Sequence, residues 1–161
     1  MQPFVRSAGD LAEVRRALSE AGLKDARLLA KIESREGMER AESLIPFAYE
    51  LVIARGDLGN AMPLWELPAA QKSLSALCRR MDCPFMVVTQ MLASMEQAPV
   101  PTRAEVSDIF NAVLDGASSV MVTGETAAGR YPAESIRYLA NTVREAERFL
   151  KKGTKKTEGR A

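Results

Sequence analysis

The sequence predicts an α/β protein built from parallel βα repeats, and three observations predict it. Segments of strand length alternate with segments of helical periodicity about five times along the chain. The strand segments are apolar runs rather than polar–apolar alternations, which suits a parallel sheet buried on both faces. Polar residues gather just after the strands, at Lys31/Glu33, Arg55/Asp57, Thr89/Gln90 and Thr123/Glu125. Parallel α/β sheets carry their functional groups at the carboxyl ends of their strands.

Taken in order, Phe4-Val5-Arg6 reads as the tail of a strand. Asp10–Ala21 has helical spacing, with Leu11, Val14 and Leu18 on one face and Gly22 as C-cap. The strand Leu28–Glu33 follows, then a helical pattern from Met38 to Phe47 with Pro46 near its end. Leu51–Ala54 is the next strand. Pro68–Met81 is a helix with Leu74, Leu77 and Met81 facing inward. Phe85–Gln90 is a strand, and Met91–Met95 a short helical turn. Pro99-Val100-Pro101 is rigid and extended. Thr102-Arg103-Ala104-Glu105 fits a capping box that opens a helix with Val106, Ile109, Val113 and Leu114 on one side. Ser119–Thr123 is the last strand, Gly124–Gly129 a loop, and Pro132–Leu150 the last helix, with proline at its start. Residues 1–150 therefore form the folded domain. The tail 151–161 carries four Lys, one Arg and two Gly and is expected to be disordered.

A closed eight-stranded βα-barrel needs about 250 residues, and this chain has 161. The expectation is a partial TIM barrel of about five βα units, closed only by oligomerisation or by a partner chain. Unclosed sheet edges are an association liability, so an oligomer is expected.

Composition excludes several function classes. The formal net charge is +1 without a basic block in the body of the chain, which gives no electrostatic case for nucleic acid. No apolar run approaches membrane-spanning length, and Met1–Arg6 lacks the apolar core of a secretion signal, so the expected location is the cytoplasm. The chain has no histidine. His-based zinc sites and Ser-His-Asp or Cys-His nucleophiles are therefore ruled out, and acid–base chemistry falls to Lys, carboxylates, Tyr, Thr or water. The two cysteines, Cys78 and Cys83, are not spaced as Cys-x-x-Cys, and Cys78 lies in an apolar helical pattern. They read as reduced, packed residues.

Two strand ends concentrate the chemistry. Lys31 and Glu33 are two apart in a strand and point to the same side, and Arg55 and Asp57 repeat that parity. Two carboxylates, a lysine and an arginine can hold a hard divalent cation together with an anionic substrate. The same residues also read as two ion pairs closing buried strands, and spacing alone does not choose. Four polar clusters, all at strand ends, favour the site.

Five strings occur in order: Lys31-Ile32-Glu33, Ala54-Arg55-Gly56-Asp57-Leu58-Gly59, Thr89-Gln90-Met91-Leu92, Pro101-Thr102-Arg103-Ala104-Glu105-Val106-Ser107-Asp108 and Gly124-Glu125-Thr126-Ala127. Together they resemble pyruvate kinase over roughly residues 4 to 149. The resemblance implies the second half of that family's catalytic barrel, from the end of the fourth strand through the eighth strand and its helix. It implies phosphoryl transfer between phosphoenolpyruvate and ADP, giving pyruvate and ATP in glycolysis. By resemblance Lys31 stabilises the phosphoryl group and the enolate oxygen. Glu33 and Asp57 bind the divalent metal, magnesium with manganese as a substitute. The amides of Gly56 and Asp57, with the Thr89 hydroxyl, cradle the substrate carboxylate, and Arg55 is counted with them as substrate-binding. Thr89 is also linked to proton delivery onto the enolate carbon. Thr123, where the family usually has serine, and Glu125 resemble more distant proton-relay positions.

The departures define what is expected to be missing. Nothing in the chain matches the first barrel strands, where the family carries its monovalent potassium ligands and an arginine and asparagine at the phosphate. Nothing matches the lid domain or the C-terminal regulatory domain. Asn60-Ala61-Met62-Pro63 replaces a Val-Glu-Ile-Pro run, and Ser34 replaces an asparagine. The expectation is a chain carrying the metal and enolate half of the site, with ADP/ATP bound only when a second copy or a complementing chain completes it. Two other readings stay open: a nucleotide-independent, magnesium-dependent enolate enzyme, and a non-catalytic fragment that binds metal and 2-oxo acid or regulates a longer homologue.

Overall fold

The computed structural model describes residues 1–158. They fall into two compact units, Met1–Val88 and a second beginning at Thr89.

The first unit is a parallel sheet with its helices. Helix α1 spans Ala8–Glu20. It starts two residues before the expected Asp10, because Ser7 and Asp10 form a capping box: the Ser7 hydroxyl accepts from the Asp10 amide at 3.3 Å, and Asp10 Oδ2 accepts from the Ser7 amide at 3.0 Å. Strand β1 is Leu29–Ile32. Ahead of it, Gln2 forms a parallel bridge to Ala30, and the Val5 amide donates to the Lys31 carbonyl at 3.2 Å. The expected strand tail at the start of the chain therefore lies against β1.

The single helix expected from Met38 to Phe47 is three shorter pieces. Helix α2, Arg35–Glu39, is capped by the Ser34 hydroxyl, which accepts from the Gly37 amide at 3.1 Å. Helix α3 is Ala41–Leu44, and a 3-10 turn over Ile45–Phe47 holds Pro46. Proline cannot supply the amide that a continuing helix needs, so the segment tightens there. Gly37 is buried, and a Cβ on it would meet the Val5 carbonyl at 2.5 Å, so the chain start and α2 pack backbone to backbone.

Strand β2, Glu50–Ala54, is buried along its whole length and pairs in parallel with β1, Lys31 opposite Val52 and Ile32 opposite Ile53. It runs directly into helix α4, Arg55–Asn60. After a 3-10 turn at Leu64–Glu66, helix α5 covers Leu67–Arg80 and buries Leu74 and Cys78. Met81, expected to face inward, is the C-cap residue and is 38% exposed. The chain turns at Asp82, φ 50°, so Cys83 rather than Met81 returns to the interior. Strand β3, Phe85–Val88, pairs in parallel with β2. Leu51, Ile53, Phe85, Ile32 and Leu58 are fully enclosed and form the core of this unit.

In the second unit, Thr89 and Gln90 have φ of 79° and 55°, which stops β3 at Val88 rather than at the expected Gln90. A 3-10 turn at Ala93–Glu96 supplies the short turn expected there. Helix α6, Arg103–Leu114, opens on the predicted capping box: Thr102 accepts from the Glu105 amide at 3.2 Å, and Glu105 accepts from the Thr102 amide at 2.8 Å. Strand β4 is Ser119–Met121. The expected loop after it contains a one-turn helix α7, Gly124–Ala127. Helix α8 is Pro132–Glu158 and continues beyond Leu150. Of the tail expected to be disordered, residues 159–161 lie outside the described residues. Ile109 and Ala112 of α6 and Ala146 of α8 are fully buried, and Phe110 meets Phe149 edge to face at 5.7 Å. Among the described residues no helix is long and apolar enough to cross a membrane.

The fold is thus α/β, with parallel pairing from β1 to β2 and from β2 to β3 and helices between successive strands.

Candidate active site

The residues singled out from the sequence divide between the two units. Lys31, Glu33, Arg55, Gly56 and Asp57 belong to the first; Thr89, Thr123 and Glu125 belong to the second.

In the first unit, Lys31 and Glu33 sit where β1 ends. Lys31 Nζ lies 2.5 Å from Glu33 Oε1. The parity expected from strand geometry is therefore realised. The pair is lopsided: the Glu33 side chain is 1% exposed and the Lys31 side chain 25%. Glu33 Oε2 accepts a second hydrogen bond, 2.7 Å long, from the Phe4 amide. Phe4 has φ 48°, an unfavourable conformation for a bulky residue, and the bond to Glu33 fastens it there. A buried carboxylate with one cation and one amide donor is well compensated. Sequence reasoning missed the Phe4 amide, because a contact across 29 residues leaves no local signal.

Arg55 and Asp57 are the point at which strand parity fails. They lie in the first turn of α4, not in a strand. Residues two apart on a helix are turned by about 200° and face away from each other. Accordingly Arg55 is half-buried, its Nη1 donating to Gln71 Oε1 at 3.4 Å, while Asp57 is exposed. The same change of geometry supplies something a strand would not. Ala54 is an N-cap without a side-chain cap bond, and Gly56 and Asp57 lie among the first helical residues, whose amides have no intrahelical acceptor. An acidic residue in that first turn also suits the helix dipole.

Glu33 follows β1 and Asp57 opens the helix that follows β2, so neighbouring parallel strands deliver both carboxylates to the same end of the sheet. Among the described residues no three of His, Cys, Asp and Glu converge as a metal site. Two carboxylates with no nitrogen or sulfur ligand fit a hard cation that keeps most of its water, such as magnesium, and do not fit zinc.

In the second unit, Thr89 is half-buried with φ 79°. A β-branched residue in the left-handed region is a genuine outlier, and such strain collects at functional positions. Thr123 is exposed. Glu125 is 1% exposed and uses both oxygens on backbone amides: Oε1 accepts from Leu92 at 3.0 Å and Oε2 from Thr123 at 2.7 Å. It therefore ties the segment after Thr89 to the start of α7. Beside it, a Cβ on Gly124 would meet the Glu96 carboxylate, the movable end of a side chain.

The family model for the pyruvate kinase barrel domain matches residues 1–136. A pyruvate kinase from Bacillus licheniformis is 41% identical over 147 residues, which is 91% of this chain and 25% of that protein. One from Candida albicans is 43% identical over 91% of this chain and 29% of its own length. One from Schizosaccharomyces pombe is 43% identical over 94% of this chain and 30% of its own length. The chain spans between a quarter and a third of the relatives it matches. By motif order, by fold and by these matches, the chain belongs to the pyruvate kinase family, through the barrel domain that carries its strand-end residues.

Proposed function

We propose that this chain carries the metal and enolate half of a phosphotransferase site that moves a phosphoryl group between phosphoenolpyruvate and ADP. The observation that supports this most is the Lys31–Glu33 pair at the end of β1, with the Asp57 carboxylate arriving from the neighbouring strand end. Phosphoryl transfer asks the protein mainly for charge neutralisation and alignment. Glu33 and Asp57 would hold magnesium, or manganese in its place, and the ion would supply charge neutralisation at an enolate oxygen when bound.

Each residue then has a task. Lys31, one-quarter exposed, can turn its ammonium from Glu33 toward a phosphoryl or enolate oxygen. The first-turn amides of Gly56 and Asp57 donate to a substrate carboxylate, with Arg55 adding positive charge. In the second unit, the Thr89 hydroxyl delivers a proton to the enolate carbon, and Thr123 and Glu125 are the outer members of a relay. The membership in this family supports binding of phosphoenolpyruvate or pyruvate, participation in glycolysis, a cytoplasmic location and assembly with further copies or a complementing chain that brings the ADP/ATP and potassium contacts.

A second reading is favoured by one observation: both oxygens of Glu33 are already engaged by Lys31 and by the Phe4 amide. On that reading the pair is structural and the chain is a non-catalytic binding or regulatory module. A coupled assay of pyruvate release from phosphoenolpyruvate and ADP separates the two. It is run with magnesium and potassium on the chain alone and mixed with a chain bearing the first half of a pyruvate kinase barrel. Turnover in the mixture that is lost with Lys31→Met supports the phosphotransferase. Equal turnover with Lys31→Met, or none in a mixture shown to associate, supports the module. Oxo-acid proton exchange without nucleotide would instead identify an enolate enzyme.

A further inference from the structure

Among the described residues, three helices end in the same bond pattern. At the end of α1, the Leu23 amide donates to the Leu18 carbonyl at 2.8 Å and the Gly22 amide to Ser19 at 3.0 Å, with Gly22 at φ 80°. At the end of α6, Ala117 donates to Ala112 at 3.1 Å and Gly116 to Val113 at 3.0 Å, with Gly116 at φ 94°. At the end of α5, Cys83 donates to Cys78 at 2.9 Å and Asp82 to Arg79 at 3.4 Å, with Asp82 at φ 50°. This paired bond pattern is the Schellman cap, which brings the side chains at its two outer positions into contact. The outer positions are Leu18 and Leu23 in the first cap and Ala112 and Ala117 in the second. In α5 that slot holds two thiols.

We propose that Cys78 and Cys83 form a thiol-oxidation site, in which a small-molecule disulfide converts the pair into an intramolecular disulfide across the C-terminal cap of α5. The 2.9 Å bond from the Cys83 amide to the Cys78 carbonyl holds the two backbones side by side, and a disulfide needs Cα atoms within about 7 Å of each other. Both cysteines are free, each thiol lies within electrostatic reach of the other, and the Cys83 thiol donates to the Pro84 carbonyl at 3.4 Å. Cys83 is 8% exposed and Cys78 not at all, so Cys83 meets the oxidant first. The Cys83 thiolate attacks one sulfur of the small disulfide, forming a mixed disulfide and releasing one thiol. The Cys78 thiolate then attacks the Cys83 sulfur and releases the second thiol. The pair loses two electrons and two protons overall, and the small disulfide gains them as two thiols.

Burial pushes both thiols up, Cys78 to about 12, while at Cys83 a hydrogen bond from the Leu51 backbone works against it. The reaction is therefore slow at neutral pH and quickens as pH rises toward 9. The site lies beside Glu50 and Leu51, where β2 begins, at the opposite end of that strand from α4 and Asp57. Closing it leaves the strand-end carboxylates untouched.

The test uses the full chain incubated with oxidised glutathione at pH 7 and pH 9, trapped with acid and digested with trypsin. Cleavage after Arg79 and Arg80 separates the two cysteines. The proposal expects a pair of peptides joined by a reducible link, an intact mass lower by two hydrogens, and faster formation at pH 9. Cys78→Ser should stop at the glutathione adduct on Cys83. A glutathione adduct that persists in the unsubstituted chain, a disulfide between two chains, or two thiols unreacted at pH 9 would each overturn it. Urea denaturation before the oxidant controls for competence: the unfolded chain must react whichever outcome the folded chain gives.

Discussion

Replacing Lys31 with methionine should cost more than replacing Glu33 with glutamine, although each removes one half of the same pair. The reason is the uneven burial of the two side chains, 25% for Lys31 and 1% for Glu33. Without Glu33, the ammonium has a route to water. Without Lys31, the carboxylate is left enclosed with only the Phe4 amide, 2.7 Å away, as compensation. Breaking a fully buried pair costs about 3–5 kcal/mol. Discounted for the water that reaches Lys31, Lys31→Met is expected to destabilise by about 2–3 kcal/mol. Glu33→Gln keeps an acceptor for Phe4 and should cost about 1–1.5 kcal/mol. Urea melts followed by circular dichroism measure both. Magnesium adds a second readout, because a cation between Glu33 and Asp57 replaces the missing lysine charge. Saturating magnesium should therefore raise the midpoint of Lys31→Met more than that of the unsubstituted chain. The reverse order of the two destabilisations, or a Lys31→Met loss below about 0.5 kcal/mol, would refute the burial argument. An equal magnesium effect on both proteins would refute the site.

Three further outcomes follow from other contacts. Glu125→Gln should destabilise by about 2–4 kcal/mol, since one of the Leu92 and Thr123 amides would then face an amide donor; a near-neutral melt would remove Glu125 as the brace of that segment. Thr89→Gly should leave stability within about 1 kcal/mol, since relief of a φ of 79° is offset by the freedom glycine gives the unfolded chain, and should slow proton delivery to a pyruvate enolate; an unchanged rate of that proton delivery would remove Thr89 from the site. At Glu105, burial pushes the carboxyl up, but hydrogen bonds from the Ser94 hydroxyl and amide and from Thr102 outweigh it and leave it below 4.5. Its contribution is thus present above pH 4.5 and lost as pH falls through the lower folded value, so Glu105→Gln should flatten the acid side of the stability curve in that window.

The fold was legible because it rests on local rules. Apolar runs marked β1, β2 and β3, and the Thr102-x-x-Glu105 box marked the start of α6 to the residue. The Lys31–Glu33 contact was legible because strand parity governs it. Arg55 and Asp57 were not, since the same parity argument continued past Ala54 into residues that had become helical. Nothing in Leu51–Asp57 announces that change: neither proline nor an N-cap side chain stands at the junction. The left-handed turn at Thr89 and Gln90 is a backbone feature, and the Leu92 amide held by Glu125 is a contact across 33 residues. Periodicity carries no record of these. Thr89 and Glu125 were instead reached through their places after strands and through motif resemblance, which named the residues but not the strain at one or the bracing bonds of the other.

Calorimetric titration of oxalate, a mimic of enolpyruvate, into the folded chain with and without magnesium asks whether Glu33 and Asp57 hold a metal that binds an enolate, with Asp57→Ala as its control. A formed site gives magnesium-dependent binding that disappears in Asp57→Ala while the helical circular dichroism of that exposed-residue variant stays unchanged. Binding that ignores magnesium, binding that survives in Asp57→Ala, or none from a folded chain at millimolar oxalate would contradict it.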